Sequence, residues 1–167
     1  MKNLNCIKRP SRPLSLMLLL IFTASCVHHP KLPTAEEAKT EVMTKITKAA
    51  EEWSKGNTMG YYNYAAEDII WMDEMAAEKP VQGKAQLKTY LETFKGQIPE
   101  HQYKLIDPVF QVYSDVVTAN YRYQGTFEGE PQTPWKVTAV FRYIDGDWWS
   151  VQENWTEVKS TGQTETE

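Results

Sequence analysis

Hydrophobic positions recur every three or four residues from Ala35 through Ala38, Val42, Ile46 and Ala49 to Trp53, a stripe along one face of a helix of roughly five turns. Thr34, with Glu37 three residues on, forms a capping-box pattern at its start, and Gly56 ends it. Asn57 can cap a second, shorter helix carrying Met59, Tyr61, Tyr62 and Tyr64. The period then changes to two. Over 68–73, Ile69, Trp71 and Asp73 fall on one face of a strand, and Ile70 and Met72 on the other. After Pro80 and Gly83, helical spacing returns at Leu87, Tyr90, Leu91 and Phe94. Four long segments follow, 103–113, 116–127, 135–144 and 148–158, all rich in Val, Thr, Tyr, Phe and Trp. Ser114-Asp115, Gly129-Glu130-Pro131 and Asp145-Gly146 separate them, and each is turn chemistry.

Helices first and strands after them is the α+β pattern. Three helices cannot cover both faces of four long twisted strands. The expected architecture is therefore three N-terminal helices packed in the concave face of a strongly curved, mostly antiparallel sheet, with a conical space where helices and sheet diverge. That space is the candidate site.

Residues 1–25 read as an export signal. Lys2, Lys8, Arg9 and Arg12 precede the apolar run Leu14 to Phe22, which is too short to cross the roughly 30 Å hydrocarbon core but suits the central region of a signal peptide. Cys26 follows Thr23, Ala24 and Ser25 and resembles the acylated cysteine of bacterial lipoproteins. The expectation is an exported chain, lipid-anchored through Cys26 to a membrane of the bacterial cell envelope, the alternative being a soluble periplasmic or secreted protein. Residues 26–33 would form a tether, 34–158 the folded domain and 159–167 a flexible tail. Cys6 leaves with the signal, so the mature chain has no pair of cysteines to bridge.

The charge balance narrows the partners. With 18 Lys and Arg against 22 Asp and Glu, and the four basic residues of the signal removed, the rest of the chain keeps 14 basic against 22 acidic side chains. A protein relying on phosphate attraction is excluded on that ground, so no nucleic acid is expected as partner. His28 and His29 adjoin each other in the tether with only His101 elsewhere, which does not build a metal site, and no metal is expected. No Gly-x-Ser-x-Gly elbow, phosphate-binding loop, His-Glu-x-x-His or Cys-x-x-Cys occurs, and no cofactor is expected.

Trp53-Ser54-Lys55-Gly56-Asn57, Glu67-Asp68, Gly83, Asp145-Gly146-Asp147-Trp148 and Gln152-Glu153-Asn154-Trp155-Thr156-Glu157-Val158, in this order and spacing, resemble the nuclear-transport-factor-2-like, or SnoaL-like, domains, which include ketosteroid isomerase. The resemblance spans Glu36 to Val158 and implies a cystatin-like cone. In ketosteroid isomerase an aspartate moves a proton while a tyrosine and a protonated aspartate stabilise the oxyanion. The resemblance puts Asp73 at the proton-moving position, but Ala49 and Ala139 where the two oxyanion donors belong. Removing one such donor costs about 2.7–4 kcal/mol in the barrier, so steroid isomerisation is not expected. Tyr61, Tyr90, Tyr121, Tyr123 and Trp135 are the residues that could supply a different donor.

Six tryptophans and nine tyrosines are a heavy aromatic load. The expected lining of the cone is Trp53, Trp71, Asp73, Tyr90, Phe94, Tyr121, Trp135, Phe141, Glu153 and Trp155. Asp73 is the candidate general base. Glu153, on the face of Trp155, is expected to pair with Arg142 or Arg122 on neighbouring strands. A β-bulge would change that face. Adjacent Trp148 and Trp149 must point to opposite sides of their strand, a signal for a homodimer formed sheet to sheet. The favoured function is non-catalytic binding of a small apolar or amphipathic molecule. The alternatives are a small isomerase, dehydratase or hydrolase using Asp73, and a dimeric protein-interaction module.

Overall fold

The computed structural model describes residues 31–74 and 79–158, so the signal, Cys26, His28, His29 and the tail lie outside the described residues. The first helix, α1 (Ala35–Ser54), begins at the capping box: the Glu37 amide donates to Thr34 Oγ1 at 3.3 Å, and the Thr34 amide donates to Glu37 Oε2 at 2.7 Å. Ala38, Val42, Ile46, Ala49 and Ala50 are buried, while Ala35 at the exposed first turn is not. Among the described residues, no helix is long and apolar enough to cross a membrane.

The second of the three expected helices does not form. Tyr62–Tyr64 make a single 3-10 turn, so the described residues hold two α-helices, not three. Asn57 turns the chain locally instead of capping a helix, accepting a hydrogen bond from the Met59 amide at 3.1 Å. Gly60 then packs directly on α1, where an added Cβ would lie 2.7 Å from the Ala49 carbonyl oxygen. Seven residues pinned at both ends are too few to repay helix nucleation.

Strand β1 (Ala65–Asp73) follows, then the short β2 (Val81–Gln82) and the helix α2 (Lys84–Glu92). The long strands are β3 (Gln102–Tyr113), β4 (Val116–Phe127), β6 (Trp135–Ile144) and β7 (Asp147–Glu157). The expected turn at Gly129-Glu130-Pro131 is placed slightly differently. The turn residues are Glu128 and Gly129, at φ 50° and 89°, and Glu130–Pro131 form a short edge strand, β5, on β4. Asp145-Gly146, at φ 53° and 91°, close the β6–β7 hairpin as their residue types foretell.

The sheet order is β2-β1-β7-β6-β4-β3, antiparallel except where β1 runs parallel to β7. It curves around the helices, α1 packing on β3 and β4 and α2 on β1. Two bulges bend it. One slips the β3–β4 register between Ile106 and Val109. In β7 Val151 is the extra residue, since Val140 opposes Gln152 while Phe141 opposes Ser150. The second bulge matters most for the interior. Trp148 and Ser150 before it, and Glu153 and Trp155 after it, are all buried on one face, which strict alternation would forbid.

Candidate functional site

Where α2 and the end of α1 diverge from the sheet, a cavity of about 200 Å³ opens. Trp53 and Tyr61 reach it from the α1 side, Trp71 and Asp73 from β1, and Tyr90, Leu91 and Phe94 from α2 and the turn beyond it. Tyr123 and Phe127 come from β4, Trp135 from β6 and Trp155 from β7, with Ile98, Pro99, His101, Gln132 and Thr133 completing the wall. The rings brace one another. Trp71 stacks on Trp155 with centroids 5.8 Å apart, Tyr61 stands edge-on to both at 5.7 and 5.2 Å, and Phe94 meets Trp53 and Tyr90 edge-on at 6.0 and 5.1 Å.

Parallel pairing of β1 with β7 places Trp71 opposite Glu153 and Asp73 opposite Trp155. Each tryptophan donates to the carboxylate two residues away on its own strand. Trp71 Nε1 reaches Asp73 Oδ2 at 2.5 Å, and Trp155 Nε1 reaches Glu153 Oε2 at 3.1 Å. Asp73, half-buried in the cavity wall, also accepts from the Tyr90 hydroxyl at 2.8 and 2.9 Å on its two oxygens. Burial and then this hydrogen bond to Asp73 push the Tyr90 phenol far above its usual range, so Tyr90 is a hydrogen-bond donor and not an acid.

A second polar pair faces the cavity from β4 and from the loop that precedes β3. His101 Nδ1 lies 2.8 Å from the Pro99 carbonyl oxygen and must therefore be the donor there. In the neutral ring that leaves Nε2 to accept from the Tyr123 hydroxyl at 2.6 Å. The imidazole stacks on Phe127 at 4.4 Å. Gly125 makes room for both rings, since a Cβ there would lie 3.1 Å from His101 Cδ2 and from Phe127 Cε2.

Behind the aromatic wall lies a separate inner space of about 10 Å³, touched by Lys45, Tyr64, Tyr61, Tyr121, Phe141 and Glu153. Glu153 is only 4% exposed, and burial pushes its carboxyl up to about 7, against the opposing pull of hydrogen bonds from Trp155 and Ser150. The Ser150 hydroxyl donates to Glu153 Oε1 at 3.0 Å, a contact across the Val151 bulge. Burial likewise raises the phenols of Tyr61 and Tyr121 well above their usual value, with the nearby tyrosines and Glu153 adding to it.

The sequence profile of the SnoaL-like domain matches residues 46–151, well over half of the chain. The chain belongs to the SnoaL-like family. Among solved structures, a protein of Parabacteroides distasonis provisionally described as a ketosteroid isomerase is 23% identical with a TM-score of 0.62, over 71% of this chain and 86% of its own. An NTF2-like protein of unknown function from Pseudomonas putida has a TM-score of 0.66 at 18% identity, over 79% of this chain and 93% of its own. A cystatin-like-fold protein of unknown function from Nostoc punctiforme has a TM-score of 0.66 at 16% identity, over 79% and 98%. At these identities the likeness is one of fold. No curated protein sequence matches the chain at a significant level.

In this SnoaL-like domain, seven of the ten residues expected to line the cone, Trp53, Trp71, Asp73, Tyr90, Phe94, Trp135 and Trp155, surround the large cavity. The other three, Tyr121, Phe141 and Glu153, face the inner space. The expected ion pair of Glu153 is absent among the described residues. Glu153 pairs in register with Ala139 on the concave side, whereas Arg142 opposes Trp149 and Arg122 opposes Lys136 on the alternate positions of the same strands. Arg122 instead bonds Asp107. Ala49 and Ala139, at the positions of the two oxyanion donors, are both buried methyl groups outside the large cavity.

Sequence reasoning missed His101 as part of the wall. The available signal was the alternation Tyr123, Gly125, Phe127 in β4, a gap between two rings that a neighbouring ring can fill. Trp148 is fully buried, whereas its neighbour Trp149 is half-buried with the Lys45 and Lys84 ammonium groups 5.7 and 5.1 Å from its ring centroid. Among the described residues, no three His, Cys, Asp or Glu side chains come together as metal ligands.

Proposed function

We propose that this domain holds one small apolar or amphipathic organic molecule in its aromatic cavity and does not turn it over. The observation that carries the reading is the cavity of about 200 Å³ walled by braced aromatic rings with two fixed polar points, Asp73–Tyr90 and His101–Tyr123. Both oxygens of Asp73 are already engaged by wall side chains, so a substrate proton would have to displace those bonds. The alanines at 49 and 139 offer no help to a developing oxyanion. The reading places the domain on an exported chain tethered through an acylated Cys26, which the intact mass of the purified protein tests.

The cavity reading is tested by thermal unfolding with neopentylbenzene. A saturable rise in midpoint is expected, corresponding to about 2.7 kcal/mol at a hundred times the dissociation constant. No rise with any small aromatic probe would refute it. A second reading is favoured by Asp73 and the Tyr90 hydroxyl sharing the cavity: a small isomerase, dehydratase or hydrolase with Asp73 as general base. It requires that Asp73→Asn abolish turnover of a bound substrate while folding stays intact.

A further inference from the structure

Among the described residues that line it, the large cavity carries one carboxylate, Asp73, and no lysine or arginine. The hydrogen-bond donors around its carboxylate and its imidazole are committed to the protein itself, while the buried Tyr61 hydroxyl has no partner among the described residues. Trp71 Nε1 and the Tyr90 hydroxyl serve Asp73, Trp155 Nε1 serves Glu153, the Tyr123 hydroxyl serves His101 Nε2, and His101 Nδ1 serves the Pro99 carbonyl. These groups turn ring faces and a carboxylate toward the cavity.

An anion placed there would sit beside the Asp73 carboxylate, and an acceptor-rich neutral molecule would find these donors already taken. A cation meets the opposite situation. Ring faces attract it when it lies within about 6 Å of their centroids, and a carboxylate at the same wall adds charge pairing. The excess of acidic over basic side chains in the domain draws cations toward it as well.

We infer that the ligand is a small organic cation, a substituted ammonium with an apolar body, its charged head at Asp73 and Trp71 and its body among Phe94, Trp135 and Trp155. This rests on the binding reading above and narrows it to one class of molecule.

The test uses the full chain and three probes of nearly equal outline: benzyltrimethylammonium, its uncharged isostere neopentylbenzene, and the anion phenylmethanesulfonate. Tryptophan fluorescence reads the dissociation constants. The cation should bind at least tenfold more tightly than the neutral probe, and the anion more weakly than either. Asp73→Asn, with its fold checked by circular dichroism, should cost the cation at least tenfold and the neutral probe less than twofold. Tyr90→Phe, which keeps the charge, should preserve the preference. Raising NaCl from 20 to 500 mM should weaken the cation severalfold and leave the neutral probe unchanged, a readout that stands even if Asp73→Asn does not fold.

Equal affinity for cation and neutral probe, a preference that survives in folded Asp73→Asn, or a preference indifferent to salt would overturn the inference while leaving the binding reading in place. Failure of all three probes to bind would end both.

Discussion

The cone contains the same small device twice, in two settings. On β1 a tryptophan precedes an aspartate by two residues, and on β7 a glutamate precedes a tryptophan by two. Each indole N–H is given to the neighbouring carboxylate, and parallel pairing sets the two devices crosswise with the indoles stacked. Asp73 stands half-buried in the wall of the open cavity with Tyr90 as a second donor. Glu153 is sealed in the inner space with Ser150 as its second donor and is pushed up to about 7. The chemistry is alike; access to water separates the outer carboxylate, which faces the open cavity, from the inner one, which is almost fully buried behind the aromatic wall.

Replacing Trp155 should have the largest effect. Trp155→Ala removes a buried ring that touches Trp71, Tyr61, Tyr121 and Tyr123, and takes from Glu153 one of its two hydrogen-bond donors. A loss of about 3–5 kcal/mol is expected by urea unfolding. Trp135→Ala, at the half-exposed rim of the same cavity, should cost well under half of that.

The carboxylates themselves give the next two effects. Glu153 binds its proton more tightly folded than unfolded, so between about pH 4.5 and 7 the native state carries more protons and stability falls as pH rises. The stabilisation is complete below the unfolded value and lost once pH passes the folded one. Urea unfolding at pH 5 and pH 8 should show wild type losing about 2–3 kcal/mol relative to Glu153→Gln across that interval. A flat difference would mean that the inner carboxylate is not sealed. The matching change outside, Asp73→Asn, should move stability by about 1 kcal/mol or less, because the amide oxygen can still accept from Trp71 and Tyr90 and the group is half in water.

The parts of this architecture that are written locally could be read from the chain. The capping box at Thr34, the helical stripe through Val42 and Ile46, the period-two faces of the strands and the Asp145-Gly146 turn all act within a few residues, and the structure has them where the pattern puts them. The separation of the two spaces could not be read. It depends on Val151 as an extra residue in β7, which brings Ser150 and Glu153 to one face. It depends also on which odd-numbered side chains of β4 and β6 lie over the narrow end. Tyr121 and Phe141 are apolar and inward, as their alternation says, yet alternation gives the face of a strand and not the depth along the cone. The failed helix after Asn57 has the same origin, a close approach of Gly60 to α1 that only the folded chain creates.

The indole N–H resonances of the six tryptophans offer the most direct test, by a 1H–15N titration of the full chain with benzyltrimethylammonium. Trp53, Trp71, Trp135 and Trp155 line the cavity, whereas Trp148 and Trp149 do not. The four lining resonances should shift together along one binding curve with one molecule bound per chain, while those of Trp148 and Trp149 stay in place. Shifts centred on Trp149, or four lining signals that remain fixed at millimolar probe, would contradict a ligand-holding cone.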